Sequence, residues 1–310
     1  MYLRVSVTDR CDFRCWYCRP ERGASSGGSN PILAPASLLA VLAGIHRAAP
    51  LHKVRLTGGE PLLRPDLEDI VAGLRTMLPD ADLAITTNGH GLAERASSLR
   101  AAGLDRVNIS LDSADLGRFR EITGRDACDA VKHSFRAAAV AGFDRIKLNA
   151  VLLRGGAEPE VEDLVGFAAE AGAEVRFIEL MPFGPAAARF TTEFLPMAEA
   201  LSLLRRNGGY LGPEEATGTA RRHRFLRRGR EVVVGFIPSV SEPFCASCDR
   251  LRLDGRGRLF ACLRAEDGRD LAGCLSESPE ALAEVVRAFV AEKRRPTDHW
   301  PDRSLVGIGG

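Results

Sequence analysis

The stretch LRVSVTDRCDFRCWYC, residues 3 to 18, joins two signals. In its first half Leu3, Val5 and Val7 fall on one side of an extended chain, and Arg4, Ser6 and Thr8 on the other. Its second half sets Cys11, Cys15 and Cys18 within eight positions. A strand with one polar face thus runs straight into a group of thiols.

Working outward, the same alternation returns in KVRLTGGEP (53–61), LAITTNG (83–89), RVNISLD (106–112), RIKLNAVLL (145–153) and EVRFIELMP (174–182). Helix-length segments separate these pieces, among them PASLLAVLAGIHRAA (35–49), DLEDIVAGLRTML (66–78) and DAVKHSFRAAAVAG (129–142). Strand followed by helix, repeated six times, predicts a parallel sheet with helices outside. A parallel strand covered on both faces is apolar on both. Here Arg4, Arg55, Thr86, Ser110, Lys147 and Arg176 sit on a polar face, strand after strand. A closed small barrel fills its interior with branched apolar side chains, which this face lacks. The fold class expected is therefore α/β, an incomplete (β/α)6 TIM-like barrel over residues 1–181 that is open enough for a polar ligand. An antiparallel sheet with one solvated face fits the alternation too, but not the helix-length spacers.

The charged inward positions Arg4, Arg55, Lys147 and Arg176 are costly without an anionic partner. They point to a phosphate-bearing ligand, unless Asp112, Glu60 or Glu179 neutralises them internally. Residues 182–310 break the repeat and form a second, C-terminal region. HRFLRRGREVVVGFI (223–237) reads as a hairpin closing at Gly229, its arginines forming a solvated face. CASCDRLRLDGRGRLFAC follows, then a helix near Pro279–Lys293 and a terminal GIGG.

Composition sets bounds on function. The 310 residues are 45% hydrophobic and 27% charged, and 42 basic against 41 acidic side chains leave a net charge of +1. That balance argues against a general nucleic-acid or membrane-surface binder. No stretch is long and apolar enough for a membrane span, and the N-terminal residues lack the apolar run of a secretion signal, so the cytoplasm is expected. Eight cysteines in that compartment are not expected to be disulfides. Cys128 and Cys274 stand alone and are read as small buried apolar residues. The other six form two triads, Cys11, Cys15, Cys18 and Cys245, Cys248, Cys262.

Structural zinc takes four closed ligands. The second triad reaches that number with His299 or His223, which leaves a zinc-stabilised binding protein as one reading. A cubane [4Fe–4S] cluster held by three thiolates keeps one iron open for a small ligand, which is another.

CDFRCWYC is similar to the C-x3-C-x2-C signature of the radical S-adenosylmethionine (SAM) enzymes, with aromatic Tyr17 before the third cysteine. TGGEP (57–61) looks like that superfamily's Gly-Gly-Glu segment. LRVSVTDRC, VRLTGGEPLLR, TTNG, NISLD, IKLNAV, VRFIELMP, FCASCDRLRL and the terminal Gly-Gly together resemble the GTP 3′,8-cyclase family of molybdenum-cofactor biosynthesis, from Leu3 to Gly310. The second triad is the most discriminating part.

The resemblance implies that Cys11, Cys15 and Cys18 hold one [4Fe–4S] cluster, whose open iron chelates SAM. Tyr17, Gly59, Glu60, Ser110 and Met181 would complete the SAM site. Cys245, Cys248 and Cys262 would hold a second [4Fe–4S] cluster in the C-terminal region. Arg4, Arg55, Thr86, Lys147, Arg176, Arg250 and Arg252 would contact GTP, and Gly309 and Gly310 would insert into the active site. The implied reaction is radical conversion of GTP to 3′,8-cyclo-7,8-dihydro-GTP by a lyase. Its partners would be an external one-electron reductant, the cyclic pyranopterin monophosphate synthase that takes the product, and a second copy in a homodimer. A radical enzyme acting on a peptide or another nucleotide is the enzymatic alternative. Two departures from the family pattern are Arg19, where methionine is common, and a short Gly/Ser-rich loop at 22–30, expected to be mobile.

Overall fold

The computed structural model describes residues 1–18, 31–293, 300–302 and 306–308. Arg19, the 22–30 loop, His299, Gly309 and Gly310 lie outside the described residues.

The repeating half runs β1 (Tyr2–Ser6), α1 (Pro35–Ala48), β2 (Lys53–Thr57), α2 (Leu67–Met77), β3 (Asp82–Thr87), α3 (Leu92–Ala101), β4 (Arg106–Ser110), α4 (Leu116–Thr123), α5 (Cys128–Val140), β5 (Ile146–Leu152), α6 (Ala157–Ala171) and β6 (Glu174–Glu179). Local chemistry sets these ends. Pro35 opens α1, where no intrahelical N–H is needed, and His46 and Arg47 face the negative end of its dipole. Asp115 caps α4 by accepting from the Arg118 N–H, and Gly124 closes it at φ +67°.

The remainder adds α7 (Phe190–Glu193), α8 (Met197–Arg206), β7 (Tyr210–Thr217), β8 (Ala220–Arg227), β9 (Arg230–Ile237), β10 (Arg250–Leu253), β11 (Arg258–Phe260), β12 (Arg269–Asp270) and α9 (Pro279–Ala291). The expected hairpin is β8 and β9. It reverses through Arg228 (φ 50°) and Gly229 (φ 71°), the pair of positive φ values a two-residue hairpin turn needs.

The twelve strands of the described residues form one sheet, in the order β12-β11-β10-β1-β2-β3-β4-β5-β6-β9-β8-β7. The strands β1 to β6 lie side by side in chain order, every pair parallel. The C-terminal region then extends both edges. β10 joins β1 and β9 joins β6, each in parallel, and antiparallel strands continue outward from them. With β1 and β6 taken up in this way, the six-stranded unit is not closed on itself.

The sheet nevertheless curls. Arg55 on β2 feels the charge of Arg176 on β6, with three strands between them. In a flat sheet four strand spacings of about 4.8 Å would hold those chains roughly 19 Å apart. Curling brings the polar faces together around a partial lumen. The opposite face is apolar: Leu3, Val5, Val54, Leu56, Ile85, Val107, Ile109, Leu148, Val175 and Phe177 are buried beneath the helices. Each such side chain contributes roughly 1.5–3 kcal/mol from burial. Among the described residues, no helix is long and apolar enough to cross a membrane.

Candidate functional site

Strand register turns the alternation of the sequence into rows of side chains, because directly paired residues share a face. One row runs Arg252, Arg4, Arg55, Ala84, Arg106 across β10, β1, β2, β3 and β4. The next carries Thr86, Asn108, Lys147 and Glu174 across β3 to β6. A third carries Ser110, Asn149, Arg176, Gly235 and Arg222 across β4, β5, β6, β9 and β8. Arg250, Tyr2, Lys53 and Asp82 line the N-terminal end.

The internal carboxylates that meet these cations are not Asp112, Glu60 or Glu179, the alternative that the sequence left open to a phosphate-bearing ligand. Glu174 takes Lys147 Nζ at 3.0 Å and Arg176 Nε at 2.7 Å. Asp82 takes Arg106 in a two-pronged pair, with Lys53 at 3.7 Å. Asp112 instead accepts from the Tyr17 hydroxyl (2.6 Å) and the Val151 N–H (2.9 Å). Glu179 accepts from the backbone of Met197, Val240 and Ser241, which ties the two halves of the chain together.

Glu174 lies two residues from Arg176 and so on the same face, whereas Asp82 lies two residues from Ala84, which is paired with Arg55. Period two could have placed Glu174 on the polar face with Arg176, but register between strands chooses its partners. The hairpin arginines also need correction. Arg221, Arg224, Arg228 and Arg230 are exposed, but Arg222 and Arg227 turn inward against acids.

The row of cations lowers its own members. Burial, then the neighbouring Arg4, Arg106 and Arg176, push Arg55 down to about 10 despite Tyr2. Burial also lowers Lys147, to about 8, with Arg176 adding to the effect and Glu174 opposing it. The phenol of Tyr2 answers in the opposite sense. Burial pushes it up, but Arg55, Arg4, Lys53 and Arg250 together bring it down to about 8. Lys53 Nζ lies 5.0 Å from its ring centre and Arg55 Cζ 5.8 Å. Arg55 Nε and Thr86 Oγ1 are buried with no hydrogen-bond partner. Buried polar atoms are seldom left so, and these two lie on the lumen face.

The two cysteine triads occupy opposite ends of this lumen. Cys11, Cys15 and Cys18 follow β1, at the C-terminal end of the strands where α/β folds place their sites. Cys245 and Cys248 precede β10, which runs parallel to β1, and Cys262 follows antiparallel β11; all three therefore lie at the N-terminal end.

Backbone contacts shape the first triad's loop. Arg14 N bonds Thr123 O (2.8 Å), Trp16 N bonds Ile122 O (3.1 Å) and Cys18 N bonds Cys15 O (2.9 Å). Phe13 is buried edge-on against Phe119. The Gly58-Gly59-Glu60 segment presses on the same loop, with Gly59 N on Thr8 O (2.8 Å) and Glu60 N on Arg10 O (2.7 Å). A Cβ at Gly59 would stand 2.1 Å from Arg10 O, so this contact requires glycine.

The carboxylate of Glu60, only 1% exposed, accepts from Leu62 N, Thr87 Oγ1 and Asn88 N. Burial outweighs these three donors and raises it to about 7. Asp12 bridges to Asn88 Nδ2 (2.8 Å) and His90 Nδ1 (2.6 Å). The ends of β1, β2 and β3 are thereby laced into one platform. Ser110 ends β4 and Met181 lies two residues beyond β6, both half-buried at this same end. Tyr17 stacks edge-on with Trp16 and packs on a small apolar group of Ile122, Leu153, Leu180 and Ala186.

The thiols fit an iron–sulfur donor set. All eight cysteines are outside disulfides, and the six of the triads are half-buried. Burial, then Asp112, Cys18 and Cys11, raise the Cys15 thiol well up, which places the three sulfurs in one another's field. At the other triad, burial raises the Cys248 thiol but Arg250 and Lys293 bring it down. Arg250 Nε donates to Cys248 Sγ (3.4 Å), and the Arg264 N–H donates to Cys262 Sγ (3.4 Å). Among the described residues no three His, Cys, Asp or Glu side chains cluster tightly enough to hold a single metal ion. In a cubane each thiolate binds its own iron. His223 bonds the Tyr210 hydroxyl (3.2 Å).

Arg252, 6% exposed, donates to Ile308 O (3.2 Å) and so holds Ile308 at the lumen row. Cys128 is buried as expected, whereas Cys274 is only half-buried.

Residues 5–168 match the Radical SAM superfamily, and residues 173–299 match the family described as Molybdenum Cofactor Synthesis C. The GTP 3′,8-cyclase of Streptomyces coelicolor is 38% identical, over 99% of this chain and 93% of its own length. That of Hydrogenovibrio crunogenus is 35% identical, over 100% and 96%. Among solved structures, Streptococcus suis SuiB bound to its precursor peptide SuiA superposes with a TM-score of 0.63 at 15% identity, over 93% of this chain and 66% of that protein. At that identity the likeness speaks for the fold alone. An iron–sulfur cluster and SAM come with the superfamily. The chain is a radical SAM enzyme and belongs to the GTP 3′,8-cyclase family.

Proposed function

We propose that this chain is a lyase that converts GTP to 3′,8-cyclo-7,8-dihydro-GTP, the first step of molybdenum-cofactor biosynthesis. What carries this reading is the lumen: rows of arginine and lysine between two cysteine triads, with Arg55 Nε and Thr86 Oγ1 buried and unbonded. Such a channel suits a polyanionic nucleotide held at one end and a cofactor held at the other.

Cys11, Cys15 and Cys18 hold one [4Fe–4S] cluster and Cys245, Cys248 and Cys262 a second. When bound, the first cluster would supply the one-electron reduction of SAM on which the radical chemistry at the ribose depends. The chain's own part is binding and exclusion of water. Gly59 keeps the cysteine loop and the β2 loop in backbone contact, and Glu60 fixes the β3 end beside them. Tyr17, Ser110 and Met181 line the SAM end. Arg4, Arg55, Thr86, Lys147, Arg176, Arg250 and Arg252 orient GTP, and the terminal Gly309 and Gly310 are assigned to the active site. An external one-electron reductant feeds the reaction, and cyclic pyranopterin monophosphate synthase takes the product. Reduced thiols and GTP fit the cytoplasm.

The test is anaerobic reconstitution followed by product analysis with GTP, ATP and a reductant. About eight irons and eight labile sulfides per chain, and a cyclised product from GTP alone, are expected. Stoichiometric zinc without sulfide, or turnover of a peptide and not of GTP, would overturn it.

A further inference from the structure

Arg222 is the hairpin arginine on the lumen row; Arg227 meets Glu162 and the other hairpin arginines meet solvent. Its side chain is 16% exposed and stands on the lumen row, opposite Gly235 and one strand further from Arg176. Arg222 Nε lies 3.7 Å from Glu174 Oε1, the oxygen that Arg176 Nε already occupies at 2.7 Å. Its Nη2 lies 3.0 Å from Glu214 Oε2, yet neither Arg222 Nε nor Glu214 Oε2 makes a hydrogen bond. A guanidinium with a buried, unspent Nε donor next to a shared carboxylate is short of acceptors.

Gly235 lets Arg176 and Glu174 pack close to the β9 backbone: a Cβ there would be tight against Ala220 Cβ at 3.3 Å and in ordinary contact with Arg176 Cγ at 3.4 Å and Glu174 Oε1 at 3.6 Å. Among the described residues, Lys147, Arg176 and Arg222 meet at one corner with Glu174 and Glu214 as their acids. This corner lies on β5, β6 and β8, across the lumen from Arg250 and Arg252 on β10.

We propose that Arg222 is a specificity-determining residue that grips the terminal phosphate of a nucleoside triphosphate, with Glu174 as the positioning residue that holds Lys147 and Arg176 beside it. The inference rests on the GTP reading and adds to it the end of the substrate that the hairpin reads. A phosphate supplies the in-plane acceptors that Arg222 Nε lacks, and a monophosphate held by its base at the far end would not span the distance.

The experiment is anaerobic equilibrium binding of GTP, GDP and GMP to the reconstituted protein with SAM present. It is run on the wild type, Arg222→Ala, Arg222→Gln, Arg222→Lys and, as a control, Arg224→Ala, an exposed arginine further along the same strand. Arg222→Ala is expected to weaken GTP on the order of tenfold while GMP changes little, so the GTP-to-GMP ratio narrows. Lys should recover part of the ratio and Arg224→Ala should leave it alone. Arg222→Gln keeps the side chain's length and serves if the alanine variant unfolds. An unchanged ratio in a folded Arg222 variant, with GTP still bound by the wild type, overturns this proposal. A wild type that ignores GTP overturns the cyclase reading instead.

Discussion

At the scale of single residues the lumen is governed by where charge is stored. Lys147 is held at about 8 by burial and by Arg176, and Tyr2 at about 8 by four cations. Both titrate in the same direction for a bound anion. As pH rises through 8, Lys147 loses its positive charge and Tyr2 acquires a negative one. GTP affinity is therefore expected to fall between pH 7 and 9, by about tenfold if one charge-assisted hydrogen bond to the nucleotide disappears. The Lys147→Arg/Tyr2→Phe double variant should flatten the profile. Isothermal binding at several pH values checks this, and a flat wild-type curve would remove Lys147 from the substrate. Four of the proposed GTP cations were legible because period two puts Arg4, Arg55, Lys147 and Arg176 on one face. Arg222 was not, since a hairpin strand rich in arginine looks the same whether its inward positions meet solvent or a neighbouring sheet.

At the scale of elements, the C-terminal end of the strands works as a laminate of loops. Gly58 and Gly59 let the β2 loop lie flat on Thr8 and Arg10, and Glu60 and Asp12 stitch the β3 end to both. A side chain at position 59 meets backbone, which cannot swing away. Gly59→Ala is expected to displace the cysteine loop, lower the melting temperature and halve the iron content to about four per chain, since the second triad lies at the other end of the lumen. Iron and sulfide analysis decides it. A variant with full iron content and normal SAM cleavage would show that the platform tolerates the shift. The Gly-Gly-Glu segment was visible in the sequence, but its role as a spacer between loops was not. That role depends on β1 and β2 being neighbours in register.

At the scale of the whole molecule, the two triads are separated by the length of the strands. The proposed SAM and GTP ends should then fail independently. Cys15→Ala is expected to abolish SAM cleavage while changing GTP affinity by no more than about twofold. Arg252→Ala, which also severs the hydrogen bond to Ile308, should weaken GTP about tenfold and leave uncoupled SAM cleavage in place. Parallel cleavage and binding assays on both variants test this. Loss of both properties in either variant would mean that the lumen does not keep the ends apart.

The sequence by itself determined the alternation that makes one sheet face polar, the helix-length spacers that force β1 to β6 to be parallel, and the two groups of three thiols. These follow from backbone periodicity and residue chemistry, which are local. Only the tertiary structure decided which strands flank which. It ran β10 beside β1 and β9 beside β6, and so put one triad at each end. It also made Glu174 and Asp82 the counter-ions, rather than Asp112, Glu60 or Glu179. Charge pairing at a few ångströms is set by register and curl between segments distant in the chain, and no spacing along the chain records that.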